Sequence, residues 1–148
     1  MFNSSIKQSI EDNGFIFTEF KGTSMNPLLK EGRDKICLEK PPKRLKKGDV
    51  ALYVRKDGTH VLHRVYKVLN VSYVFWGDNQ LILEYGIEDE DVLAVCTGFY
   101  KGEKFINFSK NIGYKIYKLF WCSFLWFRKF LNLFRRVYRK FLKFFSKK

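Results

Sequence analysis

Between Gly14 and Phe108 the apolar residues recur at every second position in short segments, and turn signals cut these segments at close intervals: Pro41-Pro42, Lys47-Gly48, Asp57-Gly58, Asn70 and Gly77-Asp78. A side-chain period of two belongs to extended strands, whereas a helix needs apolar residues three and four apart. Strands are predicted at Phe15 to Phe20, Lys35 to Glu39, Asp49 to Arg55, Thr59 to Val68, Val71 to Trp76, Val92 to Phe99 and Glu103 to Phe108. Parallel pairing would require crossover helices between them, and no helical periodicity intervenes. The expected fold is therefore mainly β, an antiparallel and partly closed domain over residues 1–108. In front of it, Ile6 and Ile10 lie one turn apart behind Ser4 and Ser5, which predicts a short helix over residues 4–12 that acts as a lid on the core.

From Asn111 to Lys147 only Gly113 breaks a helical pattern, so residues 109–148 are predicted to form one long helix, ~50 Å from end to end. Phe120, Phe124, Phe127, Leu131, Phe134, Tyr138, Phe141 and Phe145 alternate steps of four and three, which draws a single apolar seam with basic flanks. The helix is amphipathic, and it is too polar to span a bilayer. Its longest uncharged run, Leu119 to Phe127, has nine residues, against the ~20 that a spanning helix requires.

The formal charge of +13 is confined to this tail. Residues 1–100 balance 14 basic against 14 acidic side chains, and residues 101–148 set 14 basic ones against Glu103 alone. A β domain without a net positive field, followed by a basic aromatic helix, points away from nucleic acid and toward an anionic membrane surface. The same seam also describes a surface that packs on the β domain or on a second copy of the chain, as in self-association. Residues 40–47, with five Lys or Arg around Pro41-Pro42, read as a solvated connector. Cys37, Cys96 and Cys122 are odd in number and widely separated, so they read as small hydrophobes rather than as metal ligands or disulfides, and no metal or cofactor is expected. Met1 to Ile10 interleaves polar residues with Phe2, Ile6 and Ile10. No signal-peptide hydrophobic stretch is present there, and this end is expected in the cytoplasm.

Ser24, His63 and Asp78 present a hydroxyl, an imidazole and a carboxylate in an order able to build a hydrolytic site. A serine hydroxyl is a weak nucleophile at neutral pH and needs a base within hydrogen-bond reach. Strand alternation sets Val61, His63, Val65 and Lys67 on one face and His60, Leu62, Arg64, Tyr66 and Val68 on the other. His63 is then flanked by apolar side chains, and its unperturbed pKa, ~6.5, leaves much of the imidazole neutral at cellular pH.

These residues sit in a pattern that resembles a known family. Ser24-Met25-Asn26-Pro27 resembles the serine box of the type I signal peptidases; Gly48-Asp49-Val50 looks like their following Gly-Asp box. Val61-Leu62-His63-Arg64-Val65 looks like the strand that carries the general base, and Gly77-Asp78-Asn79 is similar to their last box. The match runs from about Gly22 to Phe99, and histidine before arginine is similar to the endoplasmic-reticulum and archaeal type rather than to the lysine-using bacterial enzymes.

The resemblance implies a signal-peptidase-like β domain that acts as a serine endopeptidase on a peptide or protein substrate. It implies Ser24 as nucleophile and His63 as general base, with Asp78 as the favoured third group and Glu84 as its rival. Asp49 reads as a structural turn residue. The family often carries a hydroxyl residue two positions before the nucleophile, where this chain has Gly22; the oxyanion would then fall to backbone N–H groups, notably that of Ser24, and to Thr23. The self-cleaving repressors share the Ser-Met pair but use lysine and carry a DNA-binding domain in front. The expectation is a peptidase held peripherally on the cytoplasmic side of a membrane by its C-terminal helix. The alternative is a peptidase-like module that binds a peptide or membrane partner without cutting it, for which Gly22 is the motive.

Overall fold

A computed structural model describes residues 2–123 together with Phe130, Phe134 and Tyr138. Its elements run α1 (Phe2–Asn13), β1 (Phe15–Glu19), β2 (Asp34–Glu39), β3 (Val50–Val54), β4 (His60–Val68), β5 (Tyr73–Trp76), β6 (Glu84–Ile87), β7 (Val92–Lys101), β8 (Lys104–Asn107) and α2 (Ile112–Ser123). Each strand pairing is antiparallel, and the predicted strand segments are all present. The addition is β6. Glu84-Tyr85-Gly86-Ile87 lacks the apolar alternation that marks a strand, and it extends because it pairs with β5, Phe75 opposite Glu84 and Tyr73 opposite Ile87. Context of this kind routinely outweighs strand propensity.

The eight strands form one sheet in the order β1-β2-β7-β3-β4-β5-β6, with β8 added to β7. The expectation of partial closure is corrected here: the sheet is open, and its end strands β1 and β6 do not pair with each other. Closure would require them to share a hydrogen-bonded ladder, and the two sheet faces are covered by other means. On one face Ile6 and Ile10 of α1, Met25 and Leu29 pack with Leu38, Val50, Leu52 and Leu62. On the other, Leu45 joins Ala51, Tyr53, Val65, Tyr73 and Phe75.

That second cover corrects the reading of residues 40–47 as a solvated connector. Leu45 is 3 % exposed, its N–H donates to the Tyr73 hydroxyl at 3.1 Å, and Arg44 pairs with Asp89 and donates to the Leu69 and Asn70 carbonyls. The basic composition of the loop concealed one apolar anchor and one guanidinium with fixed partners.

α2 begins the tail, and its inward side belongs to the core. Tyr114 and Trp121 are buried; Tyr114 stacks on Phe108 with ring centroids 3.7 Å apart. Ile112, Ile116 and Leu119, at spacings of four and three, face outward at 72 %, 63 % and 69 % exposure. Phe130, Phe134 and Tyr138 are helical and exposed as well. The remaining positions of the expected helix and its seam, 124–129, 131–133, 135–137 and 139–148, lie outside the described residues. Among the described residues no helix is long and apolar enough to cross a membrane. Cys37 and Cys96 are buried and Cys122 half-buried, all as free thiols.

Candidate active site

β4 is the strand on which the site is built. Its register against β3 sets Ala51 opposite His63, Leu52 opposite Leu62 and Val50 opposite Arg64. Cross-strand partners share a face, so His63 lies with Ala51, Tyr53 and Val65, and Arg64 lies on the opposite side. A bulge between Val65 and Lys67 shifts the register against β5, which turns Lys67 away from the face that strict alternation assigned to it.

The two candidate carboxylates separate by the same parity. Trp76 pairs with Arg64 across β4 and β5, and Asp78, two residues on, continues on Arg64's side. There it takes a bidentate guanidinium, Nε to Oδ1 at 2.9 Å and Nη2 to Oδ2 at 2.8 Å. Arg64 also donates from Nη1 to the Gly48 carbonyl at 3.0 Å and the Tyr114 hydroxyl at 3.1 Å, while the Tyr117 hydroxyl donates to Asp78 at 2.8 Å. Asp78, the favoured third group, is therefore committed to Arg64 and α2, and its carboxylate is not the one beside the imidazole.

That position belongs to Glu84. Phe75 pairs with both Val65 and Glu84, which brings Glu84 to the His63 face. Its Oε1 lies 3.2 Å from His63 Nδ1. Its Oε2 accepts from the Tyr53 hydroxyl at 2.8 Å and from Arg55 Nε at 2.8 Å, and Arg55 Nη2 donates to Oε1 at 2.5 Å. The Tyr53 oxygen is itself 3.1 Å from Nδ1. Tyr53 lies in β3 and Arg55 just past its end, two positions on, and sequence reasoning missed both. The available signal was Tyr53's parity with Ala51, opposite His63.

Nε2 of His63 points the other way, toward the turn that carries Ser24. A Cβ built on Gly77 would meet His63 Nε2 and the Ser24 carbonyl oxygen at 2.9 Å each, so these two atoms are at most twice that distance apart. Only a residue without a side chain leaves them this close. Asn79 completes the arrangement: its N–H donates to the Ser24 carbonyl at 2.7 Å and its Nδ2 to the Thr23 carbonyl at 3.2 Å. The box Gly77-Asp78-Asn79 thus opens space, anchors Arg64 and pins the serine turn, one task to each residue.

On the far side of that turn Met25 is fully buried with Leu29 in the core, which roots Ser24 from below. Gly22 takes φ +94°, a left-handed conformation that side-chain-bearing residues resist. The turn thereby explains glycine where the resemblance led to a hydroxyl residue. Ser24 is half-buried. Among the described residues, neither its N–H nor its Oγ forms a hydrogen bond within the fold. Asp49 behaves as the turn residue expected of it, accepting from the Lys46 N–H at 2.8 Å.

Burial pushes the His63 imidazole down to about 4; the Glu84 charge works against this, and the Arg55 charge adds to it. The ring is 1 % exposed and neutral at physiological pH. Burial raises the Glu84 carboxyl, but the bonds from Arg55 and Tyr53 and the Arg55 charge outweigh this and hold it below the usual range. A neutral imidazole with an ionised carboxylate behind it and an unengaged serine in front has the elements of a general-base site. No protein-family model, curated protein or solved structure matches the chain.

Proposed function

We propose that the chain is a serine endopeptidase of the signal-peptidase-like type, in which Ser24 attacks a peptide carbonyl and His63 takes the hydroxyl proton. Glu84 orients the imidazole. The observation that carries this reading is the meeting of His63 Nε2 and the Ser24 turn at Gly77, with a carboxylate at 3.2 Å from the opposite ring nitrogen. As Ser24 Oγ bonds to the carbonyl carbon, its proton passes to Nε2 and the imidazolium is stabilised by Glu84. The same proton then goes to the departing amine, leaving an acyl-enzyme that water clears by the reverse sequence. The Ser24 N–H serves the oxyanion, with Thr23 beside it.

An extended peptide is the substrate this reading favours. A groove of about 430 Å³ has Thr18 to Lys21, which lead into Ser24, on one wall and His60 and Leu62, which lead into His63, on another, over an apolar floor that includes Leu52. A chain laid there as an added strand is guided toward both reacting groups.

The test is covalent. The full chain is expected to react with a serine-directed phosphonate and to cleave members of a peptide library, while Ser24→Ala does neither. If the wild-type chain is silent in both assays, the non-catalytic peptide-binding module replaces the peptidase.

We extend the proposal to a peripheral site on the anionic, cytoplasmic face of a membrane, reached through the C-terminal helix. The outward stripe Ile112, Ile116 and Leu119, together with exposed Phe130, Phe134 and Tyr138, supports an apolar seam. Each basic residue near such a surface contributes ~1 kcal/mol, a term that salt weakens. The full chain is expected to sediment with vesicles containing anionic lipid and to be released by high salt. A chain ending at Ser123, which keeps α2's contacts with the core, is expected to stay in the supernatant. Absence of sedimentation by the full chain would remove the membrane from the proposal, and vesicle binding by both chains would move the contact to α2 or the β domain.

A further inference from the structure

The surroundings of His63 Nδ1 are specific beyond what a carboxylate partner requires. Three groups face it from two strands: the Tyr53 hydroxyl of β3, Glu84 of β6 and, behind Glu84, the guanidinium of Arg55 at the end of β3. Asp78 acts on the ring only through its charge, from the opposite side of the sheet. Tyr53 is fully buried and carries a single hydroxyl proton. That proton is used at 2.8 Å on Glu84 Oε2, so the Tyr53 oxygen can only accept from the ring. Glu84, ionised by the two donors of Arg55, can only accept as well. Nδ1 is therefore surrounded by acceptors, and it must carry the proton.

We propose that Tyr53 and Arg55 are positioning residues which, acting through Glu84, hold the His63 imidazole with its proton on Nδ1 and its lone pair on Nε2, toward the Ser24 turn. The inference deepens the peptidase reading and rests on it for its meaning, but not for its test. A free imidazole favours the other tautomer, with the proton on Nε2, so the assignment is not a default. Each residue has a separable task. Tyr53 uses up its proton on Glu84, which turns its oxygen into an acceptor. Arg55 keeps Glu84 unprotonated, since a protonated carboxyl would present a donor to Nδ1 and reverse the tautomer.

The experiment is nitrogen NMR on the full chain with ¹⁵N-labelled histidine. The chain has two histidines, and His60→Gln assigns the remaining signals to His63. At pH 7 the wild-type protein is expected to show a protonated Nδ1 and a pyridine-like Nε2. In Tyr53→Phe, which removes one oxygen, and in Arg55→Gln, whose parent side chain is 38 % exposed so that the fold tolerates its loss, the signals are expected to move toward a mixture of tautomers. The titration midpoint of His63 should also rise in Arg55→Gln, by roughly one pH unit, as an opposing positive charge is removed. Arg55→Lys, which keeps a cation beside Glu84, should restore most of the wild-type spectrum.

A proton on Nε2 in the wild-type chain would overturn the proposal, as would spectra that stay unchanged in both Tyr53→Phe and Arg55→Gln. No turnover is required. Wild-type protein that ignores the phosphonate yet carries its His63 proton on Nδ1 would defeat the peptidase reading and leave this placement intact.

Discussion

Glu84→Gln is expected to lower the rates of Ser24 labelling and peptide cleavage by about 10⁴-fold while leaving the folded structure unchanged, the scale on which an amide replaces the carboxylate of a serine-protease triad. Two effects act together. An amide keeps the shape of the side chain, so Arg55, which donates to both carboxylate oxygens, still finds one acceptor and the fold is retained. The other end now bears N–H groups. When these face Nδ1, which lies 3.2 Å from Oε1, the ring proton moves to Nε2 and the imidazole offers Ser24 a donor instead of a lone pair. The negative charge that offsets burial of a developing imidazolium is lost in either orientation. Because burial already pushes His63 down to about 4, the ring has little proton affinity to spare. Circular dichroism and a denaturation curve check the fold, and labelling kinetics check the site. A loss below tenfold in a folded Glu84→Gln protein would remove Glu84 from the mechanism.

How much of this was legible in the chain follows from the range of each signal. Strand alternation is local, and it predicted the strands that carry Ser24's neighbours and His63, along with the placement of His63 and Arg64 on opposite faces. The same rule, carried from Trp76 through Gly77 to Asp78, contains the answer to the third group, because it sets Gly77 toward His63 and Asp78 toward Arg64. Applying it required knowing that Trp76 stands opposite Arg64, which is a pairing register and not a local property. Glu84 was harder. Its strand is four residues long and carries one glycine, and it exists because β5 offers it a ladder. The open sheet was hidden for a related reason, since an edge left unpaired has no mark in the sequence of either end strand. In the tail, the described positions of the expected seam, Phe120, Phe134 and Tyr138, are exposed, but the inward anchors Tyr114, Tyr117 and Trp121 are also aromatic, so composition alone did not divide one side of the helix from the other.

Asp78→Ala is expected to cost about 3–5 kcal/mol of folding stability, the range found when one member of a buried ion pair is removed. Arg64 is 2 % exposed. Burial alone would lower its proton affinity, and Asp78 is the main group that raises it; a guanidinium nevertheless does not give up its proton in a protein, so Arg64 stays charged after Asp78 is gone. It is then left with the Gly48 carbonyl and the Tyr114 hydroxyl, neither of which carries an opposing charge. The Tyr117 hydroxyl loses its acceptor at the same time, which loosens α2 from the loop that bears Asn79. Against the roughly 5–15 kcal/mol that holds a typical domain together, the loss is a large fraction, and it should appear as a lower urea midpoint with an unchanged slope. A double variant, Arg64→Met with Asp78→Leu, removes both charges and fills the space with apolar atoms; it should recover much of the stability. An Asp78→Ala stability within about 1 kcal/mol of wild type would mean that water reaches Arg64 and stands in for the carboxylate. Activity lost in Asp78→Ala but regained in the double variant would show that Asp78 serves the site through the fold, whereas Glu84→Gln should be rescued by no second substitution that leaves the amide in place.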